Sequence, residues 1–186
     1  MPTCKTMTLR DTGRPWLNRG VVMLTLLALG FAVVPPANAA GAGSGATGIT
    51  RLVKSRDEWR TLLPPERFDI LFKADTERAG TSPLNNEKRP GTFVCAACFL
   101  PLFESKAKFD SGTGWPSFSQ PLEGRLETKH DFGLLSPRTE YHCARCGGHQ
   151  GHVFDDGLPP TGKRYCNNGL ALIFVPDGEP LPALRQ

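Results

Sequence analysis

Apolar residues keep three different rhythms along this chain. From Val21 to Val34 they form an uncharged run of 14 positions; around Trp59 and Phe68 they recur three and four apart. From Gly91 onward they appear as short or alternating runs broken by Gly, Pro, Asn and Asp. S-R-D-E at 55 to 58 fits a capping box, in which a serine hydroxyl and a glutamate satisfy the first free N–H groups of a helix. It predicts a short helix carrying Trp59, Leu62 and Leu63. Pro64-Pro65 interrupts that helix, and E-R-F-D-I-L-F-K then sets Phe68, Leu71 and Phe72 on one face of a second. Two such helices cover a sheet. Its strands are predicted at residues 92–95, 125–130, 133–136, 139–143, 152–154 and 169–175, where apolar residues alternate between turn formers. The Pro-rich end beyond Val175 reads as a frayed tail.

The first rhythm is not part of the fold. Lys5, Arg10, Arg14 and Arg19 precede the run from Val21, and P-P-A-N-A-A follows it, with Ala37 and Ala39 as small residues before a cleavage point. This is the layout of a secretory signal over residues 1–39, removed after Ala39, and it predicts an exported, periplasmic protein. An uncleaved anchor is the competing reading, although the run is shorter than the ~20 residues a spanning helix needs. Neither an Arg-Arg pair nor a cysteine at the cleavage point indicates another export route. Residues 40–48, A-G-A-G-S-G-A-T-G, have the composition of a flexible linker. One domain is then expected over residues 49–178, with a tail at 179–186.

Removing the leader changes the charge. Four basic residues leave with one acid, Asp11, and the formal net charge falls from +4 to +1. A near-neutral chain without blocks of like charge gives no electrostatic case for nucleic acid as a partner. The absence of an extended heptad or long exposed apolar stretch favours a monomer.

Cysteines carry the chemistry. Cys4 leaves with the leader, and four of the remaining five form two pairs, Cys95-Ala-Ala-Cys98 and Cys143-Ala-Arg-Cys146, separated by 44 residues. Two knuckles of this form can supply four thiolates to a tetrahedral zinc. In an oxidising compartment the same residues can instead be disulfides, as staples or as a catalytic dithiol. Cys166 is the odd thiol. A free thiol is only about 3% ionised at neutral pH, so a reactive one needs cations and donors nearby. Arg164 stands two residues before Cys166, Asn168 two after, and His149 and His152 lie upstream. Reduction of a sulfoxide needs a thiolate to attack sulfur and an imidazole to protonate the departing oxygen. Trp115, in G-T-G-W-P-S-F, can wall in a methyl group from a rigid turn. Against this, either histidine can merely support a loop, and Trp115 can be an ordinary core indole.

These residues resemble the methionine-R-sulfoxide reductases. The segments in common are T-E-R at 76–78, C-A-A-C-F-L-P-L-F at 95–103, K-F-D-S-G-T-G-W-P-S-F at 108–118, C-A-R-C-G at 143–147, and the stretch from His149 to Asn168. The resemblance covers roughly residues 55–176. It implies a mainly β (α+β) domain with two antiparallel sheets, short N-terminal helices and a structural zinc on Cys95, Cys98, Cys143 and Cys146. It also implies that Cys166 attacks the R-sulfoxide of methionine, chiefly in oxidised proteins, and becomes a sulfenic acid. Trp115 would bind the methyl group, His149, His152 and Asn168 would hold substrate and water, Arg164 would keep the thiolate charged, and Asp156 would orient one of these groups. Many relatives place a resolving cysteine where this chain has Thr113, which implies regeneration by an external thiol. Ala79 and Asn167 are smaller departures, at positions where a proline and an aliphatic are expected. Two other functions stay open: a zinc-stabilised binding module with an inert Cys166, and a thiol-disulfide oxidoreductase using one C-x-x-C pair.

Overall fold

The computed structural model describes residues 48–132 and 137–186. The leader, the linker up to residue 47 and the strand expected at residues 133–136 lie outside the described residues. Among those described, no helix is long and apolar enough to cross a membrane.

Both helices form where the spacing predicts them. Helix α1 (Arg56–Leu62) begins at the expected capping box: Ser55 Oγ accepts from Glu58 N at 3.3 Å, and the Glu58 carboxylate accepts from Ser55 N at 2.7 Å. Helix α2 (Pro65–Lys73) starts with its proline in the first turn, where a missing N–H costs nothing. Trp59 stacks on Phe72 with ring centroids 4.8 Å apart, which locks the two helices together. Leu62 departs from the expectation and points outward, while Leu63 enters the core.

Nine strands follow: β1 (Gly91–Cys95), β2 (Pro101–Glu104), β3 (Lys108–Phe109), β4 (Ser117–Phe118), β5 (Leu126–Asp131), β6 (Arg138–Cys143), β7 (His149–Phe154), β8 (Arg164–Asn167) and β9 (Leu172–Pro176). They make two antiparallel sheets, one in the order β2-β1-β9 and the other β3-β4-β8-β7-β6-β5. The fold is therefore the mainly β, two-sheet arrangement that the resemblance implies. Phe93, Phe103 and Phe118 fill the core, with Phe103 stacked on Phe118 at 4.1 Å and Phe93 edge-on to Phe118 at 5.0 Å. Burying three such rings is the main favourable contribution at this junction.

Strands β2, β3, β4 and β8 have no counterpart in the sequence reading, and three expected features take a different form. The strand expected at 169–175 begins at Leu172, because the Glu77 carboxylate accepts from Gly169 N at 2.5 Å and Leu170 N at 3.0 Å and holds residues 169–171 in a 3-10 turn. Strand β7 begins at His149, earlier than the expected His152, and is irregular there: Tyr141 faces Gly151, yet the next residue, His142, faces His149. Gln150 is thus the extra residue of a β-bulge. Lastly, the end of the chain is docked. Arg185 Nε donates to Ala97 O at 2.6 Å, Arg185 N donates to Cys98 O at 3.2 Å, and Arg145 Nη2 donates to Arg185 O at 2.6 Å. The Arg185 guanidinium also lies 4.7 Å from the centre of the Phe99 ring. No helix or strand forms after Pro176, so the end is held by these side-chain and backbone hydrogen bonds.

Candidate functional site

Cys95 closes β1 and Cys98 lies in the turn to β2; Cys143 closes β6 and Cys146 lies in the turn to β7. One pair belongs to each sheet. Their four sulfurs lie within 4.8 Å of one another, with Cys95 Sγ and Cys146 Sγ 3.7 Å apart and Cys98 Sγ and Cys143 Sγ 3.5 Å apart. A tetrahedral zinc with bonds of about 2.3 Å sets its sulfurs about 3.8 Å apart, whereas a disulfide needs about 2.05 Å. The donor set and its spacing fit a metal ion.

Alternation along β8 separates two faces. Tyr165 and Asn167 point into the core, where Tyr141 Oη donates to Asn167 Oδ1 at 2.9 Å and gives this buried amide a partner. Arg164 and Cys166 point the other way. The ladder sets His152 opposite Cys166 and Phe154 opposite Arg164 on β7, and Ser117 opposite Cys166 on β4. Such close pairing requires Gly151, since a Cβ there would come within 1.9 Å of Cys166 O.

Cys166, Trp115, His152 and Asn168 line one cavity of about 110 Å³, together with Thr76, Arg138 and Phe154. A larger cleft of about 410 Å³ beside Arg67, Arg89 and Phe174 contains neither a cysteine nor a histidine, so its size gives it no claim on the chemistry. Trp115 presents its indole because Nε1 donates to Glu77 O at 3.0 Å. Asn168 spends its amide on the frame: Oδ1 accepts from Glu77 N at 3.1 Å and Nδ2 donates to Gln150 O at 3.2 Å. The T-E-R segment therefore holds both the aromatic wall and the floor.

Burial raises the Cys166 thiol above its ordinary value, and the Arg164 charge, followed by Thr113 and Ser117, offsets only part of that rise. Arg164 is itself oriented by Asp156, with Nε and Nη2 donating to the carboxylate oxygens at 2.8 Å each, and its guanidinium stacks 4.4 Å from the centre of Phe154. Asp156 thus touches the site only through Arg164.

The two imidazoles sit on one face because the bulge in β7 restores His149 to the side of His152, with ring centroids 5.5 Å apart. His149 is buried, and its Nδ1 lies 2.9 Å from Glu140 Oε1. Burial holds this imidazole below its ordinary value. A carboxylate can only accept, so the neutral ring carries its proton on Nδ1 and leaves Nε2 as an acceptor, and that atom has no partner among the described residues. His152 differs. Its Nε2 lies 3.0 Å from Asp131 Oδ2, which also receives Arg138 Nη2 at 2.7 Å. Glu77, Asp131, Arg138 and Glu140 are absent from the sequence reading. Only Glu77 had a signal there, as a member of the T-E-R segment.

A half-buried thiol stands beside an imidazole–carboxylate pair and an indole, on a β domain with a four-cysteine cluster, a setting suited to thiol redox chemistry. The chain belongs to the SelR domain family, whose profile matches residues 63–176. It is 49% identical over 131 residues to a peptide methionine sulfoxide reductase MsrB of Pseudomonas putida, covering 69% of this chain and 97% of that one. To the chloroplastic peptide methionine sulfoxide reductase B1 of Arabidopsis thaliana it is 51% identical over 119 residues, covering 63% of this chain and 59% of that protein. A third relative, MsrB of Agrobacterium fabrum, is 49% identical over 126 residues, covering 66% and 92%. Among solved structures, the Yippee-like domain of Mis18 aligns with a TM-score of 0.39 at 22% identity, over 49% of this chain and all of that one.

Proposed function

We propose that this protein reduces the R-sulfoxide of methionine in oxidised proteins and peptides, with Cys166 as nucleophile. The observation that carries the reading is the small cavity in which Cys166, Trp115 and the His152–Asp131 pair converge. The Cys166 thiolate attacks the sulfoxide sulfur, the S–O bond breaks as oxygen passes to the cysteine, and a proton neutralises that oxygen. Methionine and a Cys166 sulfenic acid result. His152 is the proton donor, because it stands opposite Cys166 across the β7–β8 ladder and Asp131 fixes its ring through Nε2, leaving Nδ1 for the transfer. His149 stays neutral, and its Nε2 accepts from water or substrate. Trp115 forms the wall for the substrate methyl group, Arg164 offsets the cost of the buried thiolate, and Asp156 and Asn168 hold Arg164 and the cavity floor.

Among the described residues no second free thiol stands beside Cys166, and Thr113 occupies the resolving position. Regeneration then consumes two equivalents of an external thiol, which give a disulfide, water and the Cys166 thiol. Cys95, Cys98, Cys143 and Cys146 would hold a structural zinc, which supplies cohesion between the sheets and takes no part in the reaction. Residues 1–39 act as a cleaved export signal and the mature chain works as a monomer in the periplasm.

The test is reduction of separated R and S sulfoxides of a methionine peptide by the mature protein with dithiothreitol, beside Cys166→Ser. Turnover of the R form alone, lost in the variant, is expected. Absence of turnover with zinc bound and Cys166 inert would favour a binding module; redox-active C-x-x-C pairs without stable zinc would favour a thiol-disulfide oxidoreductase. Cleavage of the signal is read from the intact mass of protein recovered from the cell envelope, expected to begin at Ala40.

A further inference from the structure

Gln150, the residue left over in the bulge of β7, is fully buried. A buried amide is costly unless its polar atoms find partners, and leucine or methionine would fill the same space without that cost. Gln150 Oε1 meets no partner among the described residues. Its Nε2 lies 3.5 Å from Cys95 Sγ and 3.5 Å from Gly148 O. The side chain therefore crosses from β7 in one sheet to the end of β1 in the other.

The acceptor gives this contact its weight. Four thiolates around a divalent ion carry a net double negative charge, and Cys95, Cys98 and Cys143 are shut away from water. Sulfurs so placed need donors, and groups that hydrogen-bond the ligands of a metal orient them and tune its affinity. A thiolate can only accept, so the NH2 end of the amide must face Cys95. Among the described residues, no other side chain sets a nitrogen donor on any of the four sulfurs.

The main chain of the same residue faces the other site. Gln150 O accepts from Asn168 N at 2.8 Å and from Asn168 Nδ2 at 3.2 Å, and Asn168 lines the cavity beside Cys166. On either side of Gln150 stand His149 and Gly151, the first turned toward His152 by the bulge and the second packed on Cys166 O. We infer that Gln150 is a positioning residue that ties the metal cluster to the Cys166 cavity. Its amide donates to the metal-bound Cys95 thiolate, and that contact fixes the bulge whose carbonyl holds Asn168. The inference rests on the reading of the four cysteines as a metal site.

The test compares the full natural chain with Gln150→Met and Gln150→Leu, two replacements that fill the space and lack the donor. Cobalt(II) is loaded in place of zinc, because thiolate-bound cobalt absorbs by sulfur-to-metal charge transfer and a donor on the sulfur raises the energy of that transition. In both variants the bands should move to lower energy, and zinc should bind about tenfold more weakly in competition with a chromogenic chelator. Amide exchange at Asn168, followed by NMR in the zinc-loaded proteins, should quicken while exchange in the β1–β9 ladder stays at its natural rate. Bands and zinc affinity at their natural values in both variants would overturn the contact with Cys95. Shifted bands with natural exchange at Asn168 would overturn the link to the cavity. A natural protein that binds neither cobalt nor zinc would overturn the metal reading and the inference with it.

Discussion

His149 shows how one buried side chain ties stability to pH. Burial holds its imidazole below the ordinary value, so below about pH 6.5 the unfolded chain binds the extra proton more readily than the folded one. The stability linked to neutral His149 is complete above that pH and is lost as pH falls through the folded value. Glu140 adds to the trend further into acid: burial raises its carboxyl, but the hydrogen bonds from His149 and Lys129 outweigh that and hold it below the ordinary range. Urea unfolding at pH 7.5 and 5.5 should show a clear loss in the natural protein and a smaller one in His149→Gln; equal losses would exclude this origin. Trp115 gives a prediction of another kind. Trp115→Ala should lower kcat/KM for a methionine sulfoxide peptide by at least about tenfold, because apolar contact with the substrate is lost. Alkylation of Cys166 by a small reagent should be unaffected. Cys166, Trp115 and the histidines were legible as residue types in context, but their supports were not. Asp131, Arg138 and Glu140 are ordinary surface-type residues until the ladder brings them against an imidazole.

At the scale of elements, legibility followed local signals. The capping box and the three-and-four spacing of Phe68, Leu71 and Phe72 located both helices, since those interactions close within a turn or two of chain. Strand β8 escaped notice because K-R-Y-C-N shows no apolar alternation: Arg164 and Asn167 are buried only by virtue of Asp156 and Tyr141, partners 8 and 26 residues away. Strands β3 and β4, two residues each, are shorter than any periodicity. Strict alternation would also have sent His149 and His152 to opposite faces, and only the bulge at Gln150 reunites them. The β7–β8 contact depends on Gly151, where an added methyl meets backbone rather than a movable side chain. Gly151→Ala should therefore lower the thermal midpoint and disorder the site together, visible as a loss of both stability and Cys166 alkylation selectivity. A variant as stable as the natural protein would show that the two strands separate at no cost.

Across the whole molecule, the four-cysteine cluster fastens the β1–β2 corner of one sheet to the β6–β7 corner of the other, and Arg185 clamps both knuckles from outside. Removal of the proposed zinc by a chelator should lower the thermal midpoint sharply, since metal binding to the folded form alone is folding free energy. Deleting residues 183–186 should speed metal release, measured with a chromogenic chelator; an unchanged rate would show that the clamp is ornamental. The position of Cys166 in its sheet has a different consequence. Strand β8 is interior, flanked by β4 and β7, so the backbone on either side of the nucleophile is already engaged in ladders. A substrate chain cannot align alongside as an added strand, the mode by which many clefts read a peptide's main chain. Only a projecting side chain can enter, and choice among oxidised methionines then falls to how far each one protrudes from its own protein rather than to the residues that neighbour it in sequence.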